Sequence, residues 1–193
     1  MTLMAASTVP QRMSVEQFLA LPPDPWSAST RELVDGELVV EDPTFAHQWA
    51  VLNLAAELRS WHQGAPDRGR ASLNIDTIAG ERSIFKPDVQ WWADGRVLPD
   101  PTTRPYPLGE IVAEVRSPST WAVDVGRKRA TYEREGVAEL WLVDPFSETV
   151  LVFARSSPEA RAYDLTRELA AAERLESPLL PDFTVVVGSL FED

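Results

Sequence analysis

Ile84-Phe85-Lys86-Pro87-Asp88-Val89-Gln90-Trp91-Trp92 and Ile111-Val112-Ala113-Glu114-Val115-Arg116 both read as β-strands, and each carries one carboxylate in an apolar setting. Burying a lone carboxylate is costly unless a cation or dense hydrogen bonding compensates it. Period-two alternation puts Lys86, Asp88 and Gln90 on one face of the first strand and Val112, Glu114 and Arg116 on one face of the second. In neighbouring strands Asp88 and Glu114 would converge on one ion, with Arg116 on the same side. Two oxygen donors, completed by waters and a substrate phosphate, suit Mg²⁺. The plainer alternative is a buried ion pair, Glu114 with Arg116 or with Lys128.

The surrounding chain predicts a mixed α/β core. Thr44 to about Trp61 carries Val51, Leu54, Ala55 and Leu58 at helical spacing. Strands are expected over Ala71–Ile78 and Ile84–Trp92, then over Glu110–Arg116 after a proline-rich loop. Ser117-Pro118-Ser119-Thr120 opens a helix over Trp121–Glu135, ended by Gly136. Val137–Val143 and Thr149–Phe153 form a strand pair turning at Asp144-Pro145. Toward the N-terminus, Asp35-Gly36 sits between two apolar runs as a hairpin turn. Ser14 and Gln17 form a capping box for a helix over Val15–Leu21, stopped by Pro22-Pro23-Asp24-Pro25. Residues 1–12 read as a flexible tail and residues 13–193 as one domain. After Ser156 the pattern is weaker, with a last strand over Phe183–Val187.

Lys128 shares a helical stripe with Val125 and Tyr132, which turns it toward the core; the plain alternative is a surface pair with Asp124, four residues back. Only Lys86 and Lys128 are lysines among 18 basic residues, and both fall in these segments. Glu32 and Glu37 flank the hairpin turn, and either could add a carboxylate. His47 lies on the apolar side of its helix, where a lone histidine is more often a core residue than a ligand.

Composition narrows the chemistry. The chain has no cysteine, which excludes disulfides, zinc–thiolate sites and thiol nucleophiles. No G-x-S-x-G, Walker or G-x-G-x-x-G motif occurs. No apolar run reaches the ~20 residues of a membrane span, and no signal-peptide pattern opens the chain, so a cytoplasmic protein is expected. A net charge of −12 argues against broad electrostatic coating of nucleic acid but allows a local basic groove.

Glu32-Leu-Val-Asp-Gly-Glu37, Lys86-Pro-Asp88-Val, Glu114-Val-Arg-Ser-Pro-Ser-Thr120, Asp124-Val-Gly-Arg-Lys128, Tyr132, Gly136-Val137 and Leu140-Trp-Leu-Val-Asp-Pro145 occur in that order. Over about residues 14–190 the chain resembles the Uma2 family of endonucleases, formerly a domain of unknown function, in the PD-(D/E)XK nuclease superfamily. The resemblance implies a restriction-endonuclease-like α/β core of order αβββαβ, an α+β mixed sheet to which the N-terminal hairpin is added. It implies phosphodiester hydrolysis of DNA with Mg²⁺ or Mn²⁺, and a homodimer. By position, Asp88 resembles the acid of the PD motif and Glu114 that of (D/E)XK, and these two would hold the metal. The third position is Arg116 instead of Lys, so Lys128 is the expected stand-in, with Arg116 as a further cation and Glu32 or Glu37 as the additional acid. A nuclease-fold module that binds nucleic acid or protein without cutting is the competing reading. A structural accessory protein, with Trp91-Trp92 as its interface, is a third.

Overall fold

The computed structural model describes residues 12–22, 30–96 and 98–192. The expected tail, apart from Arg12, and all of the Pro22-Pro23-Asp24-Pro25 stop but Pro22 lie outside these residues. The Ser14–Gln17 capping box is present, and its helix, α1, runs over Val15–Leu19. The hairpin follows as β1 (Thr30–Val34) and β2 (Glu37–Glu41), which pair antiparallel from Thr30↔Glu41 to Val34↔Glu37. Asp35 and Gly36 both take positive φ, 51° and 82°, as a two-residue turn between right-twisted strands requires. Helix α2 (Phe45–Gln63) is capped by Thr44, whose side chain accepts the His47 amide.

Beyond α2 the strands are short: β3 (Arg70–Ser72), β4 (Thr77–Ile78), β5 (Ile84–Phe85), β6 (Val89–Trp92), β7 (Tyr106–Pro107) and β8 (Ile111–Val115). A helical stretch follows as α3 (Trp121–Val123), a π-helical turn (Asp124–Lys128) and α4 (Arg129–Arg134). The chain then forms β9 (Glu139–Asp144), β10 (Thr149–Ala154), β11 (Leu165–Leu169), β12 (Arg174–Leu175), β13 (Val185–Val186) and a 3-10 turn at Val187–Leu190. One sheet has the order β11-β10-β9-β8-β6-β3 and another β2-β1-β5-β4-β7, while β12 and β13 pair with each other. In the larger sheet only β8 and β9 run parallel, joined by the helical stretch; in the smaller only β4 and β7 do.

Each expected strand around Asp88 is two strands in two different sheets. Residues 71–78 split into β3 and β4, and residues 84–92 into β5 and β6. Pro87 explains the second split, because it has no N–H to donate to a ladder and ends β5. The chain therefore leaves the smaller sheet at Phe85 and joins the larger at Val89, which puts Asp88 at the changeover. In the first split, Asn74 lies in the left-handed region at φ 47° and donates its amide to the Pro87 carbonyl at 3.0 Å. The strand β11 was not anticipated, since Leu165-Thr-Arg-Glu-Leu169 is mostly exposed and lacks a buried stripe.

Alternation sorts the core. Ile111, Ala113 and Val115 of β8 pack with Val51, Leu54 and Leu58 of α2, together with Trp141 and Phe183. On the opposite face Val112, Leu140 and Leu142 pack with Tyr132, Phe85 and Val34. The Trp91-Trp92 pair is no exposed interface: the two are 5% and 2% exposed within this single chain. Trp91 donates its indole N–H to the Arg68 carbonyl, and Trp92 to that of Pro107.

Trp141 is fully buried and stacks on Phe183 with ring centroids 6.2 Å apart. Trp141→Ala should cost about 3–5 kcal/mol of stability in urea unfolding. A loss under about 1 kcal/mol would contradict this packing.

Candidate metal and active site

The side chains brought together at the sheet changeover are Glu32, Glu41, His47, Asp88, Glu114, Asp124 and Lys128, all buried. β6 and β8 pair antiparallel through Val89↔Ala113 and Gln90↔Val112, so the register carried one step further sets Asp88 opposite Glu114. Asp88 accepts the Val115 amide at 2.8 Å, which ties its carboxylate to the end of β8. This hydrogen bond fills the ladder position beyond Val89 with a side chain instead of a backbone carbonyl.

Lys128 reaches into the cluster from the π-helical turn. There the Arg129 amide bonds the Asp124 carbonyl five residues back, and the widened turn buries Asp124 and Lys128 together. Such turns concentrate at functional sites because they re-aim side chains without ending a helix. The ammonium lies 2.7 Å from Glu114 Oε1, 3.0 Å from both Glu32 oxygens and 3.4 Å from Asp124 Oδ1. Burial works against its charge, but Glu114 and Glu32 outweigh burial and raise its pKa further. The surrounding acids thus favour its charged form. The Tyr132 hydroxyl donates to Glu114 Oε1 from the next turn.

On the other side of Asp88 stands His47, in the first turn of α2. Its Nε2 is 3.2 Å from Asp88 Oδ2 and 3.4 Å from Glu41 Oε1. These are ion-pair distances, yet neither ring nitrogen of this 1%-exposed residue has a hydrogen-bond partner. Burial disfavours the charged ring, but Asp88 and Glu41 overcome it and push the pKa up to about 10. Thr120 Oγ1 donates to Glu41 Oε1 at 3.3 Å and lies 3.1 Å from Asp124 Oδ2, linking the two halves of the cluster.

The carboxylates outnumber the cations, and two of the acids respond. Glu114 is raised well above the ordinary carboxylate range by burial, with Asp124, Glu32 and Asp88 adding to it against the pull of Lys128. Asp124 is pushed up to about 6, again by burial first. A divalent cation would relieve the same excess without protonation. One nitrogen and two oxygen donor atoms, from His47, Asp88 and Glu41, lie within 4.8 Å of one another and fit such an ion. The imidazole lies at ion-pair distance from both acids without a hydrogen bond to either, which leaves its donor atom suited to such an ion.

The expected residues divide. Asp88, Glu114, Lys128 and Glu32 come together. Glu37 does not: it is exposed and pairs with Arg127 at 2.7 Å. Arg116 lies just past β8, pairs with Asp144 at 2.7 Å and sits over the rings of Trp121 and Phe146. The plain reading of Glu114 as partner of Lys128 holds as a contact. Sequence reasoning missed Glu41 and underrated His47 and Asp124. Glu41 and the His47 ring meet only because β2 leads through three residues into α2, a proximity that spacing alone could have suggested.

The fold is a mixed α+β one in which buried acids at the sheet changeover meet a lysine borne by a helix. The chain belongs to the Uma2 family, whose description is "Putative restriction endonuclease" and whose model matches residues 15–188. No curated protein matched. Among solved structures, it is similar to "a putative nuclease belonging to DUF820 from Anabaena variabilis ATCC 29413", with a TM-score of 0.73 and 17% identity. That likeness covers 93% of this chain and 97% of the other, and it establishes the fold. Among the described residues no helix is long and apolar enough to cross a membrane.

Lys128→Met would leave Glu32 and Glu114 buried without their cation, at a cost of about 3–5 kcal/mol near pH 8. The folded pKa values of Glu114 and Asp124 lie above their unfolded ones, so the stability these groups contribute is full below about pH 4 and falls as pH rises through the folded values. Removing the cation raises those values further, so the loss in Lys128→Met should be smaller at pH 5 than at pH 8. Chemical denaturation at both pH values checks this; equal losses would contradict it.

Proposed function

We propose that the protein is a metal-dependent endonuclease that hydrolyses phosphodiester bonds, with DNA as substrate. The observation that carries this reading is the donor set of His47, Asp88 and Glu41, whose atoms lie within 4.8 Å of one another in a buried cluster short of positive charge. Family membership and fold agree with it. Asp88 would hold the ion, with Glu41 and His47 on one side and Glu114 on the other. Oxygen donors suit Mg²⁺, and the imidazole makes Mn²⁺ at least as suitable. When bound, such a cation supplies Lewis acidity, lowering the pKa of a water and offsetting charge that builds on the phosphate.

The chain's own residues would do the rest. Water attacks phosphorus and gives up a proton, the bond to the leaving oxygen breaks, and that oxygen takes up a proton, so one water is consumed overall. Lys128, held by Glu32 and Glu114, would serve as a cation facing the negative charge of the transition state. This is what a lysine at the third motif position would otherwise offer, and Arg116 is engaged with Asp144 instead. Tyr132 and Lys128 fix the orientation of Glu114, and Glu32 holds Lys128. Glu32, more than Glu37, suits the additional acid.

Asp88→Ala and Glu114→Ala should each lower Mg²⁺- or Mn²⁺-dependent cleavage of plasmid DNA by roughly 100-fold or more while unfolding remains cooperative. Separately, Mn²⁺ should raise the Tm of the parent protein and not that of His47→Ala. Variants that cut as fast as the parent would contradict the assignment of the site.

A further inference from the structure

Beside the Pro87–Asp88 break lies a cavity of about 540 Å³ between β3 and the loop that leads into β7. Its wall carries Arg70, Lys86 and Arg104 against one carboxylate, Asp76. Asp76 is already engaged, 2.9 Å from Arg104 and 3.5 Å from Lys86. Arg70 is exposed and has no ion-pair partner among the described residues. The cavity is therefore net positive on a chain whose net charge is −12.

Its wall also carries one partly exposed aromatic ring, Tyr106, packed on the buried Trp92. Trp92 meets Tyr106 edge to face with centroids 6.0 Å apart, and Arg70 stands directly across from Trp92 in the β3–β6 register. Tyr106 is half-buried, with its hydroxyl held by the Asp100 carbonyl at 3.1 Å, so the ring is fixed in place. A second cavity of about 500 Å³ shares Arg70, Trp92 and Pro99 with the first, and the two form one trough. The far part includes Asp94 and Asp100, so the positive end is the one near the cluster.

The trough borders the strand that begins just after Asp88. Lys86 lines it while its backbone amide bonds Glu32, and Asn74, also in the wall, bonds the Pro87 carbonyl. From Trp92 to Asp88 the strand covers about 13 Å at 3.3 Å per residue. Cations along a groove with a rigid aromatic ring are the elements that hold a single nucleic-acid strand, phosphates on the cations and a base on the ring. The volume is that of a small-molecule site, suited to a nucleotide out of its stack and not to a duplex.

We propose that this trough binds the single-stranded flank of the cleaved strand, with Arg70 and Arg104 on phosphates and Tyr106 beneath a base. The inference rests on the nuclease reading of the Asp88 cluster, which supplies the reason for a strand to run there.

The test is binding without metal, so it does not depend on catalysis. Fluorescence anisotropy with a labelled twelve-nucleotide single-stranded DNA in EDTA should give saturable binding to the full chain. Arg70→Glu should weaken it by roughly tenfold, and Arg70→Ala should reduce the salt slope by about 0.7. Tyr106→Leu should weaken it with the slope unchanged. Arg174→Glu, on β12, should bind like the parent. Equal binding by Arg70→Glu and the parent, tighter binding of duplex than of single strand, or equal competition by poly-glutamate would each overturn the proposal. Loss of cleavage in Asp88→Ala with unchanged binding would leave it standing, so its failure and that of the nuclease reading are distinguishable.

Discussion

The structure depends on keeping several like charges in one dry place. Glu32, Glu41, Asp88, Glu114 and Asp124 are buried around Lys128 and His47, with less positive than negative charge among them. In an interior of low polarity each uncompensated carboxylate costs several kcal/mol. The protein meets this with an ammonium touching three acids, a backbone amide on Asp88, hydroxyls from Thr120 and Tyr132, and raised acid pKa values. A core selected only for stability would replace such a cluster with apolar side chains. Retaining it is understandable where a divalent cation completes it.

Backbone irregularities bring these groups together. Pro87 ends one strand and releases the chain into a second sheet, so Asp88 falls between two ladders and is not fully committed to either. The π-helical turn after Val123 aims Asp124 and Lys128 into the same space. The hairpin that precedes α2 brings Glu32 from β1 and Glu41 from the end of β2, and the first turn of α2 adds His47. Regular strands and helices build the two apolar faces of the larger sheet, and the breaks between them build the site.

This division explains what could be read in the residues. The hairpin at Asp35-Gly36, the long α2, the apolar β8 and β9, and the inward Lys128 all follow from periodicity and turn chemistry, which are local. The motif order was enough to suggest the family, and Asp88, Glu114, Glu32 and Lys128 do meet. What escaped was non-local. Residues 84–92 look like one strand because alternation continues through Pro87, and only the pairing partners reveal two sheets. Glu41 resembles any acid at the end of a surface strand until β2 is packed. His47 looked like a core histidine, and it is one by burial; its lack of a hydrogen-bond partner is visible only in three dimensions. Arg116 shares a period with Glu114, but β8 ends at Val115 and the guanidinium turns to Asp144.

The most direct test is a crystal soaked in Mn²⁺ and measured at a wavelength where manganese scatters anomalously. The account predicts one strong peak within about 2.5 Å of His47 Nε2 and of carboxylate oxygens of Asp88 and Glu41, with Lys128 still on Glu32 and Glu114. A map with no peak there at saturating Mn²⁺, and His47 hydrogen-bonded to the two acids, would contradict it.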